Sequence, residues 1–316
     1  MESIVSPQPA APPPMPGVAD TSSVMRTLLY FDIFQHPLTF EEIARFCPVP
    51  PGRLRDALRT LRQESLLFEF DGHFALHPLK TLLERRRANE ARARARMPKA
   101  ARMSRFIAGF PFVEAVMLSG SMSKGVLAPD GDIDYFIVTK PGRLWVARTL
   151  LVLFKKAFLL NSRRDFCVNY FVDTDHLTIE DRNLFTATEV VTLKPMAGAA
   201  TCAAFFGRNP WAFERFPNLE LPVLPPDEVP RPRSKRALER MLNGRFGEHL
   251  DDLCMRLTFL RWKRRFGGMD ARTFELALRT RKYVSKHHPQ SFQQRVLDAL
   301  DERMNRFERG HRPAFS

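Results

Sequence analysis

The sequence predicts an α+β protein, and three patterns support this fold class. Apolar residues recur at helical spacing near the N-terminus, between residues 22 and 35. Short apolar runs typical of strands follow in the middle of the chain, as in Val113–Leu118 and Tyr135–Val138. Helical spacing with basic faces then returns from residue 234 to residue 308. With 316 residues, the chain is long enough for about two domains.

The composition excludes several classes of protein. An apolar content of 44% is too high for a wholly disordered chain. The four cysteines lie far apart and match neither a disulfide scaffold nor a zinc knuckle. The first residues lack the pattern of a secretory signal, and three cations interrupt the longest apolar stretch, Leu144–Leu160. We therefore predict a cytoplasmic protein that does not contact a membrane, and the net charge of +14 is suggestive of a nucleic-acid partner.

Prolines and charge runs divide the chain into six predicted parts. Six prolines fall within residues 1–20 and six more between residues 217 and 232. Ten Lys or Arg and only two acids fall within residues 80–105. The parts are a disordered tail at 1–20, a first domain at 21–79, a basic connector helix at 80–110, a second domain at 111–216, a proline-rich linker at 217–233 and a C-terminal helical domain at 234–316.

The first domain is predicted to contain three helices and a hairpin. The first helix covers residues 22–35, Thr39 begins a short second helix, and the third covers residues 51–64. Asp71-Gly72 joins two apolar runs, which is a strong hairpin signal. Three helices closed by a hairpin resemble a winged helix-turn-helix.

The third helix carries four arginines away from its leucine face, and these are candidate nucleic-acid contacts. They are Arg53, Arg55, Arg59 and Arg62. An alternative explains them equally well: such domains often dock proteins, and arginine is common on the solvent-exposed face of a helix. The basic connector could likewise lie along a nucleic-acid backbone, but a solvated helix with one buried stripe is the favoured interpretation.

The segment Val113–Lys140 carries the strongest chemical signal. An apolar run ends in Gly120-Ser121, which predicts a strand, a tight turn and the start of a helix. Lys124 falls in the first turn of that helix, where it opposes the helix dipole unless a phosphate binds there.

Asp132 and Asp134 follow ten residues later, at the start of a second apolar run. Alternate residues of a strand point to the same face, so the two carboxylates are expected side by side. Two like charges at this separation favour a cation, and hard oxygen donors suit Mg²⁺ or Mn²⁺.

This segment resembles the nucleotidyltransferase superfamily that includes DNA polymerase beta and kanamycin nucleotidyltransferase. The family pattern is an apolar strand, Gly-Ser, a Lys or Arg with Gly, and then Asp-x-Asp in a second apolar strand. The matching positions are Gly120, Ser121, Lys124, Asp132 and Asp134. The resemblance covers roughly residues 105–175. A wider arrangement, which includes Phe166–Phe171 and residues 185–189, is similar to a group of bacterial nucleotidyltransferase-like proteins and implies no particular substrate.

The resemblance implies a mixed sheet flanked by helices and a role for each matching residue. Gly120 and Ser121 would hold the phosphates of a nucleoside triphosphate, and Lys124 would help to position them. Asp132 and Asp134 would bind two Mg²⁺ ions while a hydroxyl attacks the α-phosphate.

The chain departs from the family at the third carboxylate, which usually lies on a later strand. The matching strand, Phe166–Val172, carries Asn169 at its centre, and an amide cannot serve as a base. Asp173 and Asp175 follow this strand and are candidates for the third ligand or base, although both are equally typical of a turn.

We predict an enzyme: a Mg²⁺-dependent nucleotidyltransferase that moves a nucleoside monophosphate to a hydroxyl of RNA, protein or a small molecule and releases pyrophosphate. The alternative is a weakly active or inactive regulator that senses a nucleotide and binds DNA through its winged helix, and Asn169 favours this alternative. In a third hypothesis, the C-terminal helices are a docking platform for a partner protein that the sequence does not identify.

Overall fold

A computed structural model describes residues 17–162, 164–225, 229–288 and 291–311. The protein is α+β, with one antiparallel sheet of three strands and one mixed sheet of six. Residues 1–16 of the predicted tail (1–20) lie outside the described residues. No helix within the described ranges is long and apolar enough to cross a membrane.

Three helices and the small sheet form the N-terminal part. The helices are α1 (Val18–Asp32), α2 (Phe40–Phe46) and α3 (Pro51–Gln63), and the strands are β1 (Leu38–Thr39), β2 (Phe68–Phe70) and β3 (His73–Ala75). Thr39 caps α2 through a reciprocal pair of hydrogen bonds with Glu42, so the predicted start of this helix is confirmed. Asp71 and Gly72 both have positive φ angles, as a two-residue hairpin turn between β2 and β3 requires.

Helix α4 (Lys80–Ala108) follows, at the position of the predicted basic helix. Most of its cations are exposed, while small and apolar residues form a stripe that packs on the large sheet. Arg86 is the exception, because it is buried and donates to both carboxylate oxygens of Glu42 at 2.7 Å. It also pairs with Glu90 on its own helix, at 2.6 Å. This ion-pair group joins α4 to the N-terminal part.

The large sheet has the order β7-β4-β5-β6-β9-β8. Its strands are β4 (Val113–Ser119), β5 (Asp134–Thr139), β6 (Cys167–Asp173), β7 (Lys194–Ala197), β8 (Thr280–Arg281) and β9 (Val284–Lys286). Strands β5 and β6 are parallel, and the other neighbours are antiparallel. Alternate side chains of β4 and β5 enter different apolar clusters, which shows that helices cover both faces of the sheet.

The remaining helices surround this sheet. They are α5 (Gly120–Ser123), α6 (Leu144–Phe158), α7 (Leu184–Val191), α8 (Ala199–Gly207), α9 (Pro210–Glu214), α10 (Arg233–Met241), α11 (Arg245–Arg265), α12 (Ala271–Ala277) and α13 (Phe292–His311). Helices α4 and α6 contribute to the apolar cluster on one face, and α7 and α8 to the cluster on the other. Helix α11 packs along α6.

The C-terminal region differs from the all-helical prediction. Residues 280–286 form the hairpin β8–β9, and β9 extends the central sheet by pairing with β6. These strands contain only two and three residues, too few for an alternating pattern to be recognised. Helix α13 reaches back to the N-terminal part, where Val296 and Leu300 pack in the same apolar cluster as Leu28.

Candidate functional site

The turn after β4 brings the Gly-Ser segment against the aspartate pair. Strands β4 and β5 are antiparallel, and Ser119 is the register partner of Asp134. Gly120 follows with φ +62°, and a Cβ built at this residue would lie 2.6 Å from Oδ2 of Asp134. Only glycine therefore allows the backbone to approach the carboxylate so closely.

Asp132 and Asp134 line the same cavity. Strand β5 begins at Asp134, so Asp132 precedes the strand instead of lying within it as expected. The charge of Asp132 contributes to a raised pKa at Asp134, which shows that the two carboxylates interact. The structure thus brings the predicted acidic pair together beside Gly120.

Asp134 lies in a confined polar environment. Asn169 on β6 donates from Nδ2 to Oδ1 of Asp134 at 2.9 Å, and the Cys167 thiol also hydrogen-bonds to this carboxylate. Burial is the main cause that raises the pKa of Asp134 to about 6, and the charges of Asp132 and Glu189 act in the same direction. The carboxyl group is therefore closer to neutrality at pH 7 than an ordinary aspartate.

Lys124 has a carboxylate partner that the sequence did not reveal. Its Nζ donates to Oε1 of Glu189 at 2.7 Å and to the carbonyl oxygen of Gly120 at 3.1 Å. Glu189 lies on α7, 65 residues further along the chain, and it lines the cavity with Asp132 and Asp134. No local sequence signal could have placed this helix residue at the turn after β4.

Asp173 and Asp175 do not join the acidic group. Strands β5 and β6 are parallel, and Asp134 pairs with Cys167 while Asp173 pairs with Thr139 at the other end of both strands. The Asp173 carboxylate instead accepts hydrogen bonds from the backbone N–H groups of Asp175 and His176. These bonds form a turn after β6, which is the structural alternative that the sequence left open. The structure therefore places neither candidate for the third ligand or base beside Asp132 and Asp134.

Ser121 lies in the single-turn helix α5, and its side chain is exposed and does not line the cavity. The helix that was predicted to start here contains only Gly120–Ser123, so Lys124, which was expected in its first turn, directly follows its last residue. The part of this segment that faces the cavity is therefore Ser119 and Gly120.

The cavity has a volume of about 1040 Å³, and beyond the acidic group its lining comes from two sets of elements, each of which is called an arm. One arm passes between β6, β9 and the start of α13, where Lys286 lies 3.1 Å from Asp181. The half-buried His288 in this arm has a pKa lowered to about 4, mainly because the imidazole is shielded from water, and it is neutral at pH 7. The other arm passes between α6 and α11. The cavity has room for a nucleotide and part of a second substrate.

The donors around Asp134 fit a hard divalent cation. The carboxylates of Asp132 and Asp134 belong to residues that line the cavity, and Oδ1 of Asn169 is a buried oxygen without a hydrogen-bond partner in the described part of the chain. No cluster of three or more His, Cys, Asp or Glu side chains arranged for metal binding occurs among the described residues. Mg²⁺ commonly binds through one or two carboxylates and completes its coordination with water and substrate phosphates, so Asp132 and Asp134 are sufficient protein donors.

The four arginines of α3 are exposed, and each has a partner within the chain. Arg53 lies 3.3 Å from Asp20, Arg59 lies 3.0 Å from Asp56, and Arg62 lies 2.5 Å from Glu69. The Arg55 guanidinium lies over the ring of Phe40 at 4.9 Å. All four remain accessible to an anionic partner that would compete with these local contacts.

Comparisons of the chain with protein-family models, with curated proteins and with solved structures found no match. The residues of the site are therefore the basis on which a function can be assigned.

Proposed function

We propose that the protein is a Mg²⁺- or Mn²⁺-dependent nucleotidyltransferase that transfers a nucleoside monophosphate from a nucleoside triphosphate to an acceptor hydroxyl. One observation carries the proposal. Asp134 is the first residue of β5 and packs directly against Gly120, the glycine of the turn that ends β4. The two halves of the sequence motif thus meet at one end of the cavity, as the resemblance to nucleotidyltransferases requires.

Each residue has a distinct role in this proposal. Asp132 and Asp134 hold the metal ions, which when bound would neutralise charge on the α-phosphate during in-line attack. Gly120 lets the turn after β4 approach Asp134 closely, so that the turn lies beside the metal-binding carboxylates. The substrate phosphates would bind where Ser119 and Gly120 line the cavity, and Ser121, which the resemblance assigns to the phosphates, would reach them only from outside the cavity lining.

The ion pair between Lys124 and Glu189 would change when a nucleotide binds beside Gly120. In the structure, the Lys124 ammonium group neutralises Glu189. A triphosphate that binds beside Gly120 would compete for this ammonium group, since phosphate oxygens are strong acceptors for lysine. Glu189 would then be a free carboxylate close to Asp134, and it could accept the proton of the acceptor hydroxyl.

The proposal extends to the two finer fold assignments. The central mixed sheet with its antiparallel β4–β5 pair supports a nucleotidyltransferase-type domain. Helices α1–α3 and the antiparallel strands β1–β3 support a winged helix-turn-helix, with β2 and β3 as the wing.

Label transfer from four α-labelled nucleoside triphosphates tests the proposal. Purified protein with Mg²⁺ or Mn²⁺ is mixed separately with RNA, protein and small-molecule fractions of a cell extract. We expect label in one fraction, and we expect Asp132→Asn and Asp134→Asn each to remove it. Asp130→Asn is the matched control, because Asp130 belongs to the same loop but is exposed and does not line the cavity. Equal labelling by the wild type and the Asp134→Asn variant would overturn the proposal.

A second candidate function is a nucleotide-sensing regulator that binds DNA. Asn169 favours this function. It carries an amide where the family usually has the third carboxylate, and this amide donates a hydrogen bond to Asp134. In that case the protein binds a nucleotide without transferring label, and it binds duplex DNA with an affinity that falls steeply as salt increases. The double substitution Arg55→Glu and Arg59→Glu should then abolish DNA binding, and unchanged binding would exclude this function.

A further inference from the structure

The wall of the cavity between α6 and α11 contains a buried arginine that has no anionic partner in the described ranges. Arg148 on α6 is 8% exposed and lines the cavity. Its guanidinium lies over the rings of Trp145 and Trp262, at 5.6 and 4.9 Å from their centres. Among the described residues it has neither a carboxylate within 4 Å nor a hydrogen-bond acceptor. Its nitrogens are not among the fully enclosed polar atoms, so the donors are open to the cavity.

Such an arrangement is costly for the free protein. A buried cation is normally paired with a carboxylate, because the loss of hydration is not otherwise compensated. Burial lowers the pKa of Arg148 to about 10, yet the side chain remains charged at neutral pH. The attraction of the two indole rings offsets only part of the lost hydration.

The charged residues that line the surrounding wall are all cations. The cavity-lining residues of α6, α11 and α12 include six cations, and no acid from these helices lines the cavity among the described residues. The cations are Arg148, Lys155, Lys156, Arg261, Arg265 and Arg272. The carboxylates of the cavity come from other elements, namely the ends of the strands, the segment before α7 and α7 itself.

The cavity-facing residues of α11 recur with helical spacing, so they form one face. Cys254, Thr258, Arg261 and Arg265 lie three or four positions apart and face α6 across the arm. Thr149 on α6 also lines the arm. Hydroxyl donors beside guanidinium groups are the usual side-chain partners of a phosphate.

We propose that this arm is a phosphate-binding subsite centred on Arg148, and that it holds a phosphate group of the acceptor substrate. Arg148 would supply the buried bidentate contact, and Arg261 the contact at the open side. The anion site follows from the unpaired arginine together with the cations and hydroxyl groups that line the cavity beside it. Its assignment to the acceptor rests on the proposed transferase function, because the acidic group of the same cavity is assigned to the nucleotide.

Titration with inorganic phosphate, without metal or nucleotide, tests the site independently of that function. In a phosphate-free buffer, Arg148→Met should melt higher than the wild type, because it removes a buried unpaired charge. Phosphate should raise the melting temperature of the wild type and leave that of the variant unchanged. If Arg148→Met melts lower and still gains stability from phosphate, the arginine has only a structural role and the proposal is wrong.

A matched pair on α11 keeps the test decisive if Arg148→Met folds poorly. Arg261 and Arg264 are both exposed arginines of this helix, but only Arg261 lines the cavity. We expect Arg261→Gln to weaken phosphate binding about tenfold or more, and Arg264→Gln to leave it unchanged. Equal effects would show a diffuse attraction to a basic helix and would overturn the site.

Two further measurements distinguish a phosphate of the acceptor from a phosphate of the nucleotide. The double variant Asp132→Asn, Asp134→Asn should retain phosphate binding, even if transferase activity is never found. In wild type with Mg²⁺ and a saturating non-hydrolysable nucleoside triphosphate, phosphate should still bind. If the nucleotide prevents this binding, Arg148 holds a phosphate of the nucleotide, and the acceptor assignment is wrong.

Discussion

Gly120 and Asp134 are packed so closely that the space between them does not admit a methyl group. A Cβ at Gly120 would lie 2.6 Å from Oδ2 and 3.4 Å from Cγ of Asp134. The same carboxylate accepts a hydrogen bond through Oδ1 from Nδ2 of Asn169, at 2.9 Å. Asp134 therefore cannot move away without losing a hydrogen bond, and the glycine fixes the position of the carboxylate as well as the shape of the turn.

The substitution Gly120→Ala should consequently impair both folding and metal binding. Alanine at φ +62° is strained by about 1 kcal/mol or more, and its methyl group must also displace the Asp134 carboxylate. We expect a lower free energy of unfolding in urea and a loss of Mn²⁺ affinity measured by calorimetry.

Gly125→Ala is the matched control for this substitution. Gly125 has φ +76°, but a Cβ there would meet no atom within 4 Å. It should show the backbone strain without the loss of Mn²⁺ affinity. If both variants bind Mn²⁺ equally, the contact between Gly120 and Asp134 has no role in the site.

Asp134 should make the stability of the metal-free protein depend on pH. The pKa of Asp134 is raised to about 6 in the folded protein, whereas an unfolded aspartate has a pKa of about 4. Between these values the folded state binds more protons than the unfolded state. The free energy of unfolding should therefore fall as the pH rises from about 4 to about 6, by up to about 3 kcal/mol.

Urea unfolding at a series of pH values checks this dependence. Asp251 also has a pKa raised to about 6 by burial, so the wild-type curve contains both groups. The difference between the wild type and Asp134→Asn isolates the contribution of Asp134, and this difference should change mainly between about pH 4 and about pH 6. A difference that is constant with pH would show that the carboxyl group titrates normally.

The ion pair between Lys124 and Glu189 should shift the titration of Asp134 in opposite directions when either partner is removed. The charge of Glu189 raises the pKa of Asp134, and the charge of Lys124 lowers it. We expect Glu189→Gln to lower this pKa and Lys124→Met to raise it. Both shifts should be smaller than the effect of burial, which is the largest cause.

Carbon-13 NMR of the aspartate carboxyl groups measures these shifts directly. Glu180→Gln serves as a control, because Glu180 pairs with Arg279 at 3.3 Å and is not among the main causes that shift the pKa of Asp134. Shifts of the same sign in the Glu189→Gln and Lys124→Met variants would contradict this arrangement of charges.

The local elements of the fold could be predicted from the sequence because their signals are local. The Thr39 cap, the Asp71-Gly72 turn and the start of β5 near Asp134 each depend on a few neighbouring residues. The hairpin β8–β9 could not be predicted, because Val284–Lys286 is too short to show alternation and is stabilised by pairing with β6.

Only the residues of the candidate site that belong to the sequence motif could be predicted. Asp132 and Asp134 are marked by their spacing, whereas Glu189 reaches the site through the packing of α7, and the sequence contains no sign of that contact. The same limit explains Arg148. Its position in an apolar helix is visible in the sequence, but the absence of a carboxylate partner among the described residues depends on how α6 and α11 pack.

The ion-pair group at Arg86 should be essential for the stability of the N-terminal part. Arg86 is 8% exposed and donates to Glu42 and Glu90, so its removal takes the buried cation away from two carboxylates. We expect Arg86→Met to lower the free energy of unfolding by about 3–5 kcal/mol. Arg87 is the matched control, because it is the next residue of α4 and pairs with Asp71 while exposed to solvent. Arg87→Met should change stability by at most about 1 kcal/mol, and similar losses for the two variants in urea unfolding would show that burial of the Arg86 group has no special effect.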